Sequence, residues 1–201
     1  MIDFSYTKIG APTFSYLSLA PCVTLNGTSQ YLTVDTQSTT NYSITGGLTL
    51  GAWIRTGVFT TAQAIIGRWG TSQQGYLVSV VNDGTVKFEV SASGADSFSV
   101  VSADPDLLPI DVWTFVCGRY TPSTEVAVWF NATKTTNVTS IPAAIHASTA
   151  AFYIGNDALS SRYFSGSLSL AFICGQALSD RMIELLYYQS KALFYGISHN
   201  A

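Results

Sequence analysis

Residues 111–134 read DVWTFVCGRYTPSTEVAVWFNATK, and the rest of the chain can be organised around them. Apolar and β-branched residues run from Val112 to Val116, and a turn cluster of Thr, Pro and Ser follows at positions 121–123. Beyond it, the alternate positions 126, 128 and 130 carry Val, Val and Phe and fall on one face of a strand, while Ala127 and Trp129 fall on the other. The pattern predicts a strand, a turn and a second strand.

Similar segments recur along the chain, which indicates one all-β unit rather than two small domains. Residues 76–81 and 86–90 form a second predicted hairpin around Asn82-Asp83-Gly84, which supplies turn residues. Residues 97–102 alternate as a further strand. Ser179 or Asp180 begins the only clear helical pattern as its N-cap, with apolar residues at helical spacing behind it.

Six segments in this order resemble the laminin-G-like, concanavalin A-like jelly rolls. Besides the central hairpin, similar to the family's W-H-x-V-A-G-x-Y and L-Y-V-N-G, they are residues 23–34, 47–55, 64–69, 151–157 with 163–168, and 176–188, the last beginning QALSD. The resemblance covers about residues 22–188. It implies an antiparallel two-sheet β-sandwich with one short C-terminal helix near residues 180–190.

The sequence departs from the family pattern at two positions. Ala132 replaces the glycine of the Asn-Gly turn, and because alanine is unfavourable at positive φ, we expect a longer loop there. Ser169 stands where the family usually has an aspartate, so a function that needs this carboxylate is not expected.

The organisation predicted from these segments has three parts. Residues 1–20 form an N-terminal arm that packs either on the sandwich as an added strand or on a neighbouring subunit. Residues 21–190 form the jelly-roll domain, and residues 191–201 form a C-terminal tail.

Composition narrows the functional classes. Only 10% of the 201 residues are charged and the net charge is −3, with no basic cluster. A protein that binds nucleic acid or an anionic membrane surface uses clustered Lys and Arg, so neither partner is expected. No apolar run reaches the about 18 residues that span a bilayer, so no membrane insertion is expected either.

The N-terminus does not read as a signal peptide, because Asp3 stands where basic residues are usual. A surface-type module without an export signal is typical of a phage structural protein. A secreted protein whose signal has been removed is the other interpretation. The predicted location is therefore the virion surface or, alternatively, the extracellular space.

Catalysis is not expected. Jelly-roll glycosidases of the laminarinase type place two carboxylates on one strand as E-x-D-x-x-E. The glutamates here are isolated, at Glu89, Glu125 and Glu184, and the two histidines are not part of a catalytic motif. We predict that the protein is not an enzyme.

No cofactor is expected, with calcium as the one open alternative. Many laminin-G-like modules hold calcium on a sandwich rim through Asp, Asn and backbone oxygens, as a hard cation prefers. The candidates here are Asn156, Asp157 and Asp35. Ordinary turn residues are the competing interpretation.

The aromatic residues give the candidate ligand site. Trp53 and Trp113 resemble core tryptophans of the family, whereas Trp69 lies beside Arg68 at a strand end and Trp129 is on the outer strand face. An exposed indole stacks on a pyranose ring, so Trp69, Trp129 and Arg68 are the predicted glycan ligands. An outward tryptophan that is covered by the arm or a subunit is equally consistent.

Both ends of the chain carry aromatic residues that need a partner, because large exposed apolar patches usually mark interfaces. We predict that they mediate assembly with copies of the chain or with other virion proteins: Phe4, Tyr6, Phe14, Tyr16, Phe194 and Tyr195. The functional prediction is a non-enzymatic virion-surface protein, a capsid decoration or tail-associated jelly roll, that contacts host glycans. The alternative is a carbohydrate-binding adhesion module of a secreted or cell-surface protein.

Overall fold

The computed structural model describes residues 6–17, 20–34, 42–57, 59–101, 107–160 and 162–195. Fourteen strands and one helix follow one another in these residues. They are β1 (Tyr6–Ile9), β2 (Thr13–Leu17), β3 (Ala20–Asn26), β4 (Tyr31–Val34), β5 (Leu48–Arg55), β6 (Gln63–Gly70), β7 (Gln73–Val80), β8 (Val86–Val90), β9 (Phe98–Val101), β10 (Thr114–Thr121), β11 (Glu125–Phe130), β12 (Thr133–Asn137), β13 (Tyr153–Ile154), β14 (Ser165–Cys174) and α1 (Asp180–Tyr195).

The strands form two antiparallel sheets of seven. Sheet A has the order β1-β4-β13-β6-β7-β8-β9, and sheet B has the order β12-β11-β10-β5-β14-β3-β2. The predicted all-β, two-sheet sandwich with a C-terminal helix is confirmed. Within the described residues, no helix is long and apolar enough to cross a membrane.

The central hairpin has the predicted form. β10 pairs with β11 from Val116↔Phe130 to Thr121↔Glu125, and the three residues between the strands form the turn. Ser123 adopts φ 54°, the left-handed conformation that closes it. β10 also pairs with β5, the middle strand of sheet B, so the hairpin lies next to the centre of the sheet.

The alternation along β11 separates two apolar layers, as predicted. Val126, Val128 and Phe130 belong to the main core between the sheets. Ala127 and Trp129 belong to a second cluster on the outer face of sheet B, which α1 covers with Ile183 and other side chains. One strand therefore contributes to two hydrophobic layers.

The longer loop expected at Ala132 is wrong. Phe130 pairs directly with Thr133, so residues 131 and 132 make a two-residue turn. Asn131 takes the positive φ, 54°, and accepts a hydrogen bond at Oδ1 from the Phe115 backbone N at 3.1 Å. Alanine is tolerated because its neighbour, which adopts positive φ more readily, bears the strained conformation.

The helix extends further than predicted. Ser179 is its N-cap, since Ser179 Oγ accepts a hydrogen bond from the Met182 backbone N at 3.3 Å. α1 continues to Tyr195 and so includes the start of the predicted tail. Trp53 donates from Nε1 to Ser190 Oγ at 2.8 Å, which satisfies a buried indole N–H and fixes the helix on sheet B.

The residues assigned to the arm contribute one strand to each sheet. β1 pairs with β4 at the edge of sheet A, and β2 pairs with β3 at the edge of sheet B. The two strands thus lie on the same side of the sandwich on opposite sheets, and their connection through Gly10 and Ala11 crosses from one sheet to the other.

Candidate functional site

Trp129 does not present its ring to solvent. Its side chain is 1% exposed, and it contacts two cations, with Arg119 Cζ at 4.8 Å and Lys134 Nζ at 5.3 Å from ring centroids. The expectation of an exposed indole on this face is therefore wrong. α1 covers the face, a third possibility beside the arm and a neighbouring subunit.

A four-charge cluster around Trp129 anchors the start of α1. Arg119 donates from Nη1 to Asp180 Oδ1 at 2.5 Å and pairs through Nη2 with Glu125. Lys134 completes the cluster, with Nζ 3.2 Å from Glu125 Oε2 and 3.0 Å from Asp180 Oδ2. Burial alone would raise the pKa of Asp180, but hydrogen bonds from Lys134 and Arg119 hold that pKa below its ordinary value.

The other two predicted glycan ligands are also buried. Trp69 packs with Ala64 and Leu77 in a small cluster separate from the main core. Arg68 donates from Nε to the Ala150 carbonyl at 2.6 Å, and burial lowers the pKa of Arg68 while nearby Tyr76 acts to raise it. Neither side chain offers the exposed surface that the glycan prediction assumed.

The calcium candidates are only partly described. The Asp157 carboxylate accepts hydrogen bonds from Arg162 Nε at 2.5 Å and from the Ser160 backbone N at 2.9 Å, so it behaves as a turn residue in an ion pair. Asn156 is buried next to it, and its Oδ1 has no hydrogen-bond partner among the described residues. Asp35 lies outside the described residues. Among the residues that the structure describes, no three His, Cys, Asp or Glu side chains cluster as metal ligands would, here or elsewhere.

Among the partly exposed aromatic side chains, three tyrosines lie close together: Tyr31 and Tyr153 belong to sheet A, and Tyr163 precedes β14. The ring centroid of Tyr31 lies 5.5 Å from that of Tyr153 and 6.1 Å from that of Tyr163. We call these three residues the tyrosine patch. Burial, with Tyr31 and the Asp157 charge, raises the pKa of Tyr153. Its hydroxyl therefore stays protonated at neutral pH and remains a hydrogen-bond donor.

A polar pocket of about 270 Å³ adjoins the tyrosine patch. It is lined by Gly27, Thr61, Ala62, Ser160, Arg162 and Tyr163. Its walls offer hydroxyls, a guanidinium and an aromatic ring, which are the groups that bind polyols.

Arg162 of the pocket is held in place by buried acids. Besides its contact with Asp157, its Nη1 lies 3.6 Å from Glu89 Oε1. Glu89 in turn contacts Lys87 Nζ at 2.5 Å and accepts a hydrogen bond from Ser97 Oγ at 3.1 Å. Two acids and two bases balance each other, so the cluster below the pocket is close to neutral.

Sequence reasoning missed this site because Tyr31 is far in the chain from the other two members. Tyr31 begins β4, Tyr153 lies in β13 and Tyr163 precedes β14, and only the pairing of β13 with β4 brings the first two together. All three lie in segments that resemble family motifs. A search for tyrosines within those segments would have found them.

Comparison with known families matches residues 26–184 to the model of the concanavalin A-like lectin/glucanases superfamily, of the laminin-G type. This match covers well over half of the chain. The chain belongs to that superfamily. A comparison with curated protein sequences finds no match.

Solved structures extend the lectin/glucanase likeness to toxin domains. The receptor-binding domain of botulinum neurotoxin C/D mosaic serotype is 10% identical, with a TM-score of 0.70 over 92% of this chain and 46% of that one. The serotype G binding domain gives 13% identity and 0.70 over 94% and 47%. A botulinum neurotoxin type C structure, described as depending on two ganglioside molecules to enter cells, gives 13% and 0.64 over 92% and 46%.

This superfamily member therefore spans about half the length of the solved chains it resembles. At such low identity the likeness establishes the fold. It does not transfer a binding residue from those domains to this chain.

Proposed function

We propose that the chain is a non-catalytic module that binds carbohydrate at the tyrosine patch and its polar pocket. The observation that carries the proposal is the contact of Tyr31 with both Tyr153 and Tyr163, next to a pocket containing Arg162. The patch combines partly exposed aromatic rings with fixed polar groups on the outside of a rigid sheet.

The chemistry of the patch suits a sugar ring. Aromatic faces pack against the apolar C–H face of a pyranose, while hydroxyls and a guanidinium bind its oxygens. Ser160, Thr61 and Arg162 supply those polar groups in the pocket. The volume of about 270 Å³ lies just below the range of about 300–1,000 Å³ that is typical of ligand pockets, so we expect the pocket to take a short glycan end rather than a long chain.

The proposal excludes hydrolysis for a physical reason. A glycosidase needs one carboxyl group to donate a proton and a second to act as nucleophile or base. The two acids that contact Arg162 of the pocket, Glu89 and Asp157, are both buried. Each carboxylate is already paired with a cation and is therefore not free to act as a catalytic acid or nucleophile.

The relatives favour recognition of cell-surface molecules. The similar domains are receptor-binding domains of toxins, and one of them belongs to a toxin that depends on gangliosides. By analogy of fold, a surface adhesion role is the general setting we propose for this chain.

The test is a glycan array probed with the full chain, followed by titration of the best ligand. Tyr163→Ala removes one ring and should weaken binding about tenfold, and Tyr153→Phe, which removes only a hydroxyl, about fivefold. Tyr188→Ala is the matched control, because Tyr188 is 59% exposed on α1, away from the patch. Equal affinities for all four proteins, or an array without a ligand, would contradict the proposal.

We further propose that this module belongs to a virion, where it associates with other virion proteins or with copies of itself. It rests on the low charge of the chain and on two exposed aromatic residues of the predicted assembly set, Phe14 and Tyr195. Phe4 and the side chains of Tyr6 and Tyr16 lie outside the described part of the chain. Phe194 cannot contribute to assembly, because its ring stacks on that of Trp53 with 4.4 Å between the ring centroids.

Two measurements test this setting. Mass spectrometry of purified particles should find the chain among the structural proteins, and its presence only in culture medium or on cell surfaces would favour the secreted alternative. Light scattering should show a mass above that of a monomer, which Tyr195→Ser should lower. Val138→Ser, at an isolated exposed residue, is the control.

A further inference from the structure

Sheet B has an opening in the second half of β14. β14 pairs with β3 only from Ser165 to Ser169, and its pairing with β5 shifts register between Ser169 and Phe172. On the far side of the shift, β3 reaches Pro21, which has no backbone N–H to continue the ladder. The residues after Ser169 therefore lie beside a gap that leads into the core.

The bulge that makes this opening is strained. Leu170 adopts φ 47°, a conformation that is unfavourable for a bulky residue, and its side chain is 41% exposed. Such outliers cluster at binding sites, where a bulge ends strand pairing and redirects side chains. Ser169 Oγ donates to the Pro21 carbonyl at 2.7 Å and holds β3 and β14 together at the rim of the gap.

Behind the bulge lies an apolar chamber of about 190 Å³ between the two sheets. Leu32, Ile66 and Ile154 of sheet A line one side, and Ala171 and Ile173 of β14 line the other. Phe14 of β2 also lines the chamber and is 43% exposed, so it stands at the mouth. All the side chains that line the chamber are hydrocarbon.

An outer vestibule of about 260 Å³ continues from the chamber. The two spaces share Phe14, Leu32, Ile154 and Ala171, so they are contiguous. Unlike the chamber, the vestibule includes Ser169 and Cys22, whose Sγ lies 3.3 Å from Ser15 Oγ. Polarity therefore increases from the inside outward.

We propose that the chamber binds the alkyl chain of a small amphiphile, whose polar head remains in the vestibule. Water is bound only weakly in the chamber, because none of the side chains that line it can form a hydrogen bond. A dry cavity of about 150 Å³ in an engineered protein binds benzene, so this chamber is large enough for a short hydrocarbon. The polar vestibule favours an amphiphile over a wholly apolar molecule.

The experiment titrates the full chain with hexanoate, octanoate, decanoate and dodecanoate below their micelle concentrations, by calorimetry and by methyl NMR of Ile66, Ile154 and Ile173. Affinity should rise roughly fourfold for each added methylene while the chain is entering the chamber, and should level off when it is full. Ala171→Phe fills the chamber and should reduce octanoate affinity at least tenfold. Ala143→Phe makes the same change at an exposed loop position and should leave it unchanged.

A second variant guards against a failure of Ala171→Phe to fold. Ile173→Ala enlarges the chamber at a partly exposed position and should move the plateau to longer chains. Tyr163→Ala should not affect alkanoate binding, so this site and the glycan site can fail independently. Absence of binding up to dodecanoate, affinity independent of chain length, or full affinity in folded Ala171→Phe would overturn the proposal.

Discussion

The buried position of Trp129 indicates a structural role rather than a role in ligand binding. Its ring is enclosed by sheet B, α1 and two cations, so truncation removes a large buried side chain and leaves a cavity. We expect Trp129→Ala to lower the free energy of unfolding by about 3–5 kcal/mol, measured by urea denaturation. Glycan affinity should persist at temperatures where the variant is folded.

The control is Tyr188→Ala, because a change at an exposed helix position usually alters stability by less than about 0.5 kcal/mol. If Trp129→Ala is as stable as the parent but no longer binds glycan, then Trp129 is a glycan ligand, as its position on the outer strand face predicted.

The turn between β11 and β12 depends on Asn131, while Ala132 is in an ordinary conformation. Ala132→Gly would restore the Asn-Gly dipeptide that the family favours. Glycine, however, increases the conformational entropy of the unfolded chain, and the folded turn gains nothing in return because position 132 does not adopt a positive φ. We therefore expect Ala132→Gly to lower the free energy of unfolding by about 0.5–1 kcal/mol. Denaturant titration measures the change, and a gain in stability would show that the turn prefers a left-handed residue at position 132.

At the scale of one element, the attachment of α1 to sheet B depends on pH through Asp180. Because its pKa is lowered in the folded protein, the ionised carboxylate stabilises the fold. This contribution is complete above the ordinary carboxyl pKa of about 3.9 and is lost as pH falls through the lower, folded-state value. Because the Asp180 side chain is 51% exposed, solvent screens its ion pairs. Asp180→Asn should therefore cost less than about 1 kcal/mol at pH 7, and the difference from the parent should shrink below about pH 4.

Glu184→Gln is the matched control, since Glu184 is an exposed carboxylate on the same helix. Thermal unfolding followed by circular dichroism between pH 3 and pH 7 separates the two variants. A constant stability difference for Asp180→Asn across that range would show that its carboxylate acts without its charge.

The elements themselves could be predicted to different degrees, for physical reasons. Local alternation was enough for β10, β11 and the two faces of β11, because side chains on a strand alternate with a fixed period of two. It could not show that α1 covers Trp129, since an amphipathic pattern indicates that a face is buried but not against what. The β14 bulge could not be predicted either, because the sequence around Leu170 has the pattern of an ordinary strand.

For the whole molecule, the tyrosine patch shows where sequence reasoning ends. Tyr31 lies more than a hundred residues before Tyr153 and Tyr163, and the pairing of β4 with β13 brings it next to them. The sequence favoured tryptophans as sugar ligands because of their chemistry, but tertiary packing buried them. Burial depends on what covers a sheet, and that information is non-local.

The last prediction is that the whole protein binds glycans without cleaving them. Of the acids in the ion-pair clusters, Glu89 and Asp157 contact Arg162, and Glu125 contacts Arg119 and Lys134. Because cations hold each of these three carboxylates in a structural network, none of the three is free to act on a bound sugar. We expect no release of reducing ends from laminarin, agarose or xylan between pH 5 and pH 8.

Glu89→Gln and Glu125→Gln make this test decisive. Any trace activity of a contaminant would persist in both variants, and the parent would show the same trace. Release of reducing ends by the parent that disappears in either variant, with the fold intact by circular dichroism, would instead assign that glutamate to catalysis. Binding without turnover would support the proposed recognition role, in which the buried Glu89 and Asp157 hold Arg162 in place at the glycan site.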